Sequence, residues 1–209
     1  MLALAGLWDY NMTILKTTPA YKHFLQKRQF CGPTCIQIIL FRRGFKVNQE
    51  QLAYKLVTFV DIKDKKHYSL KFKTTTSGDS RIGIMLKDFE KLRVKNVLKK
   101  YGLKVKVFRI SQVKNVDKFL ETNIKKNKDT IINFWWKPID GTDWGHHVLL
   151  SKFDTEKRRI TVCDPGSRKD KVWTIKLDKL VECMSREYDG NERGFVVVDI
   201  KRTAYPKTS

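Results

Sequence analysis

Three short segments of the chain carry side chains that could together perform nucleophilic catalysis. Cys31 precedes a Gly-Pro pair, His146 follows a glycine, and Asp164 lies directly before a proline. A thiol is a good nucleophile only as a thiolate, and an imidazole with a pKa near 6.5 is suited to take its proton. A carboxylate can hold that imidazole in the required tautomer. The three residues therefore predict a triad, with Cys31 as nucleophile, His146 as base and Asp164 as the group that orients the base.

The element that must position Cys31 is predicted to be a buried helix. Residues 31–43 are apolar on nearly all sides, Pro33 suits a first helical turn, and Gly44 suits the end of the helix. A cysteine at the start of such a helix faces free backbone N–H groups and the positive end of the helix dipole. These groups stabilise a thiolate and can also hold the oxyanion that forms during acyl transfer.

The base and the acid are predicted to lie on two adjacent strands. Residues 147–153 and 159–163 both read as strands, and His146 begins the first while Asp164 ends the second. A hairpin of these strands would bring the two side chains together. Trp144 and Gly145, which precede the base, are expected to border the site and contact substrate.

The order of the remaining elements favours an α+β domain. Helices dominate the first half and strands the second, which is typical of a helical lobe beside an antiparallel sheet. The longer helices are expected at residues 31–43, 48–60 and 83–101, and residues 61–80 read as a loop. Further elements are expected to be strands at 103–107, 130–136, 171–177 and 194–200 and short helices at 116–124 and 177–184.

Length and composition fit one soluble domain. The chain has 209 residues, of which 41% are hydrophobic and 31% charged. We expect residues 1–19 to be a peripheral extension, 20–202 the domain and 203–209 a tail. No apolar run is long enough to span a membrane, and residues 1–9 lack the features of a secretory signal, so a cytoplasmic location is expected.

The chain is strongly basic. Its 43 basic and 22 acidic residues give a formal net charge of +21. Such a charge favours nonspecific contact with nucleic acid or anionic surfaces. The lysines are spread along the whole chain, so we interpret most of them as a solvated surface.

The quoted motifs resemble the bacteriocin-processing peptidases and their stand-alone relatives. Cys-Gly-Pro-Thr-Cys with an upstream glutamine, Gly-His-His-Val-Leu-Leu, and Cys-Asp-Pro follow in the family's order over roughly residues 20–200. These papain-fold enzymes cleave peptides after double-glycine leaders. The resemblance implies a papain-like fold, a peptide substrate and the catalytic roles assigned above to Cys31, His146 and Asp164. It also implies an oxyanion-hole glutamine, for which Gln26 is the candidate.

The chain departs from the family pattern at two positions. Gln26 lies five residues before Cys31 instead of six, and Gln29 is a nearby alternative. His147 stands where the family often has an aromatic residue. Alternation along a strand turns it away from His146, so we interpret it as a packing residue, with an exchange of roles between the two histidines as the alternative. The sequence contains no P-loop, as expected of a peptidase domain without a transporter.

Rival interpretations use the same residues. Cys31, Cys35 and the two histidines could by type bind zinc, but adjacent strand histidines diverge and the usual two-residue cysteine spacing is absent. Cys35 is therefore interpreted as a core thiol, and no metal or cofactor is expected. The triad would also serve a papain-fold acyl transferase or amidase. A non-catalytic basic module that binds nucleic acid would not need the triad.

Overall fold

A computed structural model describes residues 14–76, 81–166, 170–185 and 190–200. Seven strands form one antiparallel sheet in the order β4-β9-β5-β6-β7-β8, and β1 also pairs with β6. Two further strands, β2 and β3, form a small parallel pair. The strands are β1 (Ile14–Lys16), β2 (Phe59–Asp61), β3 (Lys73–Thr75), β4 (Leu103–Arg109), β5 (Asp129–Trp135), β6 (Gly145–Asp154), β7 (Arg159–Cys163), β8 (Val172–Lys176) and β9 (Gly194–Ile200).

Helices cover both faces of the sheet. The α-helices are α1 (Cys31–Arg42), α2 (Gln49–Lys55), α3 (Leu92–Lys99), α4 (Val116–Lys125), α5 (Lys137–Asp140) and α6 (Leu177–Glu182). One apolar core joins α1, α2 and α3 to alternate residues of the central strands, such as Leu149. A second core joins α4 and α6 to the intervening residues, such as Val148. Burial on both faces explains why β5 and β6 are largely apolar instead of alternating.

The predicted α+β class is confirmed, with a helical layer against an antiparallel sheet. The helix that begins at Cys31 and the pairing of β6 with β7 both occur as expected. Asn48 caps α2 by accepting hydrogen bonds from the N–H groups of Glu50 and Gln51.

Two of the predicted helices are shorter than expected. The second helix ends at Lys55, because Val57 takes a left-handed conformation (φ 61°) and the chain then enters β2. The predicted helix at 83–101 is instead a 3₁₀ helix, Leu86–Glu90, followed by α3. In both segments the apolar residues have the spacing of one helix, but they belong to two consecutive elements of different kinds.

Residues 14–16, which fall within the predicted peripheral extension, form part of the sheet. β1 pairs with the end of β6, and the Leu15 side chain is 7% exposed within the second core. The sheet therefore includes residues 14–16, because the far end of β6 would otherwise have an unpaired edge beyond β5. Residues 1–13 and 201–209, which include the predicted tail, lie outside the described residues. No helix in the described ranges is long and apolar enough to cross a membrane.

A buried ionic cluster fixes the C-terminal end of α1 to the sheet. Asp129, at the start of β5, is fully buried and pairs with Arg42. Its Oδ2 accepts from Arg43 Nη2 at 2.9 Å, and its Oδ1 accepts from Tyr21 Oη at 2.8 Å. Paired buried charges of this kind are costly to break, so the cluster anchors the helix that carries Cys31 at its other end.

Candidate active site

Cys31 is the first residue of α1 and is partly exposed. The N-cap residue, Phe30, makes no side-chain capping bond, and Pro33 has no N–H group. The backbone N–H groups of Cys31 and Gly32 have no carbonyl within the helix to bind. They are therefore free to stabilise negative charge at the sulfur or on a bound oxygen.

Gly32 allows this end of the helix to pack closely. A Cβ atom at this position would lie 2.3 Å from Ile84 Cγ2 and 3.6 Å from His147 Nδ1. Any larger residue would require the Ile84 side chain or the start of α1 to shift. The glycine after the cysteine is thus explained by the packing around the thiol.

The hairpin of β6 and β7 brings His146 to Asp164. Leu149 pairs with Cys163 in the register of the two strands, and the His146 Nε2 atom lies 2.6 Å from Asp164 Oδ1. The carboxylate is 1% exposed and accepts two further hydrogen bonds. Gly166 N donates to Oδ1 and Trp173 Nε1 donates to Oδ2, each at 2.7 Å.

Aromatic rings hold the His146 imidazole on its other sides. Trp136 stacks on it with ring centroids 5.7 Å apart, and Phe134 meets it edge-on at 5.9 Å. Gly166 leaves room for the pair, since a Cβ there would lie 3.0 Å from Asp164 Oδ1 and 3.2 Å from His146 Nε2. With Nε2 directed at Asp164, Nδ1 is the ring nitrogen left for the thiol.

The environment shifts the pKa values of all three groups. Burial alone would raise the pKa of Asp164, but its bonds to His146, Trp173 and Gly166 outweigh burial and lower it. Burial would lower the pKa of His146, but Asp164 and Cys31 raise it to about 9. Burial would raise the pKa of Cys31, but His147 and His146 lower it to about 5. The arrangement therefore favours a thiolate–imidazolium pair near neutral pH.

His147 also reaches the thiol, contrary to its expected role as a packing residue alone. Its Nδ1 atom lies 3.5 Å from Cys31 Sγ, and the residue is 3% exposed. Alternation does separate the two histidines: His147 packs near Phe89 in the first core, and His146 packs against aromatic residues of the second. Because Cys31 lies beside the start of β6, opposite orientations still allow both histidines to lower the pKa of the thiol.

The two candidate glutamines have different surroundings. Gln29 donates to Asp64 Oδ2 at 2.8 Å and accepts from the Asp61 N–H group at 2.9 Å, so its amide is already engaged. The Gln26 N–H group donates to Pro165 O at 2.8 Å, which places Gln26 next to Asp164. Its side-chain Oε1 is buried and has no hydrogen-bond partner among the described residues. Because the Gln29 amide is engaged by Asp64 and Asp61, Gln26 remains the better candidate for an oxyanion donor.

Trp144 and Gly145 lie at the start of β6, beside the base. Trp144 is 52% exposed, and its carbonyl accepts from Trp136 N at 2.9 Å. The Arg193 guanidinium packs closely against Gly145, and a Cβ atom on this residue would lie 2.6 Å from Arg193 Nη1. The Arg193 guanidinium is 4.5 Å above the Trp135 ring, a contact that no sequence pattern indicated.

The other three cysteines differ from Cys31. Cys35, Cys163 and Cys183 are buried free thiols. Burial raises the pKa of Cys163 and of Cys183 to about 11 and also raises that of Cys35. Cys35 Sγ donates to the His147 carbonyl at 3.5 Å. The described ranges contain no group of three or more metal-ligating side chains.

Comparison with solved structures reveals similar folds. A protein described as a C39-like peptidase from Bacillus anthracis superposes with a TM-score of 0.57 and 13% identity, over 90% of this chain and 98% of that one. A double glycine motif protease from an AMS/PCAT transporter, solved in complex with the leader peptide, gives a TM-score of 0.49 and 17% identity, over 90% and 99%. At 13% identity the first of these likenesses shows the fold, in agreement with the papain-like prediction.

Sequence comparison gives the family. No curated protein matches the chain. The model of the Peptidase_C39 like family matches residues 16–190, which include the start of α1 and the β6–β7 hairpin. By that match over most of its length, the chain belongs to the Peptidase_C39 like family.

Proposed function

We propose that this protein is a cysteine peptidase, with Cys31 as nucleophile, His146 as base and Asp164 as the group that orients the base. One observation carries the proposal: a partly exposed thiol at a helix N-terminus has its pKa lowered by two histidines, and one of them, His146, is hydrogen-bonded to a buried carboxylate. Membership of a peptidase-like family supports the same assignment.

In the first step the Cys31 thiolate attacks the carbonyl carbon of a peptide bond and forms a C–S bond. The Cys31 N–H group and the Gln26 side-chain amide donate hydrogen bonds to the oxyanion. The His146 imidazolium then gives its Nδ1 proton to the leaving amine, the C–N bond breaks, and a thioester remains on Cys31.

In the second step water resolves the thioester. His146 is now neutral and accepts a proton from the attacking water, and the Cys31 thiolate leaves as the acid product forms. Asp164 stays ionised throughout, because its three hydrogen bonds and the nearby imidazolium lower its pKa. Its role is to keep Nε2 protonated and the ring in place.

The substrate is proposed to be a peptide that lies across the start of β6. Trp144 offers an exposed aromatic surface there, and aromatic rings supply apolar contact area at little entropic cost.

The experiment that tests this function is incubation of the protein with a diverse peptide mixture, followed by mass spectrometry of new termini. The wild type should produce internal cleavage, and Cys31→Ala should abolish it, while Cys183→Ala, which changes a buried thiol outside the triad, should not. A transient acyl adduct on Cys31 in quenched samples would support the thioester step. Absence of cleavage by protein that carries a reactive Cys31, or preferential transfer of the acyl group to an added amine, would contradict peptidase function.

A further inference from the structure

His147 is a second imidazole in contact with the proposed nucleophile. Its Nδ1 atom is 3.5 Å from Cys31 Sγ, and Gly32 provides the space that allows this approach. The residue is 3% exposed, and its other ring nitrogen, Nε2, is buried without a hydrogen-bond partner among the described residues. Packing alone does not explain a polar ring at this site, because an aromatic hydrocarbon ring would fill the same volume beside Phe89 without leaving a buried nitrogen unpaired.

The unpaired nitrogen indicates the tautomer. A neutral histidine carries one N–H donor and one acceptor nitrogen. A buried N–H group without a partner is rarer in proteins than an under-satisfied acceptor, so the proton is better placed on Nδ1, where the thiol lies. In that tautomer Nδ1–H donates to the sulfur, and only a lone pair stays unpartnered at Nε2.

We propose that His147 is a second catalytic histidine that donates a hydrogen bond from Nδ1 to the Cys31 thiolate and stabilises it, while His146 carries out proton transfer. This role rests on the proposed peptidase function only in its use of Cys31 as nucleophile. The division of labour follows from the partners of each ring. His146 is held by Asp164 and can cycle a proton, whereas the Nε2 atom of His147 has no hydrogen-bond partner among the described residues.

Several groups could affect the same thiolate. His146 and His147 face it from β6, Cys35 lies one turn along α1, and Asp164 acts through His146. A contribution of His147 must therefore be separated from that of His146 by substitutions that change only the Nδ1 donor. Hydrogen bonds to ionised acceptors are about twice as strong as neutral ones, so removal of this donor should have a measurable effect.

The test is the pH dependence of Cys31 alkylation by iodoacetamide, followed by peptide mapping. His147→Phe keeps a ring of similar size and has no donor, and His147→Gln places its amide at the Nε2 position instead of the Nδ1 position. Both should raise the midpoint of Cys31 ionisation by about one pH unit or more and therefore slow alkylation at pH 5 by about fivefold or more. His147→Asn places an amide N–H near the Nδ1 position and should restore much of the rate.

A matched control is His67→Asn, which changes an exposed histidine of the 3₁₀ helix Ile62–His67 and should leave the profile unchanged. Circular dichroism and thermal unfolding identify any variant that does not fold, and if His147→Phe does not fold, His147→Gln serves as the variant without a donor at the Nδ1 position. A wild-type profile in the folded variant without that donor would overturn the proposal. If wild-type Cys31 titrates as an ordinary thiol, this role and the peptidase proposal both fail. If the His147 effect is seen but no peptide is cleaved, only the peptidase proposal fails.

Discussion

Replacement of Asp164 by asparagine should disable the site without changing its shape. The carboxylate accepts hydrogen bonds from His146 and Gly166 at Oδ1 and from Trp173 at Oδ2. An amide has only one acceptor oxygen, so it cannot reproduce this pattern in either orientation. If the asparagine NH₂ group takes the Oδ2 position, it faces the Trp173 Nε1–H group, and two donors then lie opposite each other.

The opposite orientation of the amide is worse for catalysis. The NH₂ group would then face Gly166 N–H and would donate to His146 Nε2, which moves the imidazole proton to Nδ1. In that tautomer Nδ1 cannot accept the thiol proton. The negative charge that favours the imidazolium is lost in both orientations.

The magnitude follows from the His146 pKa. It rises from 6.5 to about 9, with Asp164 the first of the two groups that raise it. Each pKa unit corresponds to about 1.4 kcal/mol, so the buried imidazolium gains about 3 kcal/mol in total. Loss of most of this stabilisation of the imidazolium, together with loss of the productive tautomer, should lower kcat/KM by about 10²–10⁴-fold. This is the range of general acid–base catalysis.

The assay combines initial rates of peptide hydrolysis with thiolate absorbance near 240 nm at pH 6. Asp164→Asn should lose both activity and the thiolate signal. Asp178→Asn, which removes a carboxylate whose side chain is 74% exposed, should lose neither. A folded Asp164→Asn protein that retains wild-type absorbance and a rate within about threefold of wild type would refute the assignment of Asp164.

Three further predictions concern pH, the oxyanion donor and stability. The kcat/KM value should rise with pH through about 5 as Cys31 ionises, and it should fall through about 9 as His146 loses the proton needed by the leaving amine. A pH profile in which activity does not rise near pH 5 would contradict the thiolate–imidazolium pair. Gln26→Ala should lower kcat by about 10²–10³-fold without changing Tm. Gln29→Ala should mainly lower the free energy of unfolding, by about 1–3 kcal/mol. Equal effects of the two substitutions on kcat would contradict the assignment of Gln26 as the oxyanion donor. Asp129→Asn should destabilise the protein by about 3–5 kcal/mol in urea unfolding because it breaks a fully buried charge cluster, and an unchanged midpoint would show that the cluster contributes nothing to stability.

The sequence predicted the elements that carry the triad more reliably than those far from it. Helix α1 and the β6–β7 hairpin have strong local signals: an apolar run with Gly-Pro at its start, and two strands separated by a short turn. The resemblance to the bacteriocin-processing peptidases is confirmed at the level of the Peptidase_C39 like family. The structure joins His146 to Asp164 by a hydrogen bond, and the catalytic roles of Cys31, His146 and Asp164 stay predictions.

The missed elements are those whose stability depends on distant partners. Strands β1, β2 and β3 have three residues each, too few to show a periodicity, and each exists because another strand pairs with it. The segment around residues 83–101 has a helical spacing, but its first part forms a 3₁₀ helix packed by Leu86 and Phe89. Local pattern cannot distinguish these cases from one continuous helix.

The position of His147 shows a different limit of sequence reasoning. Alternation correctly placed it on the opposite face of β6 from His146, but the conclusion that it is remote from the chemistry does not follow. The start of α1 lies beside the start of the strand, so a side chain on either face can reach the sulfur. Only the three-dimensional arrangement of α1 and β6 reveals this contact.

The most direct test of the account is alkylation of native protein with iodoacetamide between pH 5 and pH 8, with each cysteine quantified by peptide mapping, in the wild type and in His146→Ala. Selective modification of Cys31 below pH 7 that is lost in the variant is the predicted result, because the thiolate depends on the nearby imidazolium. A Cys31 that reacts no faster than an ordinary thiol, and is unaffected by loss of His146, would contradict the proposed catalytic pair.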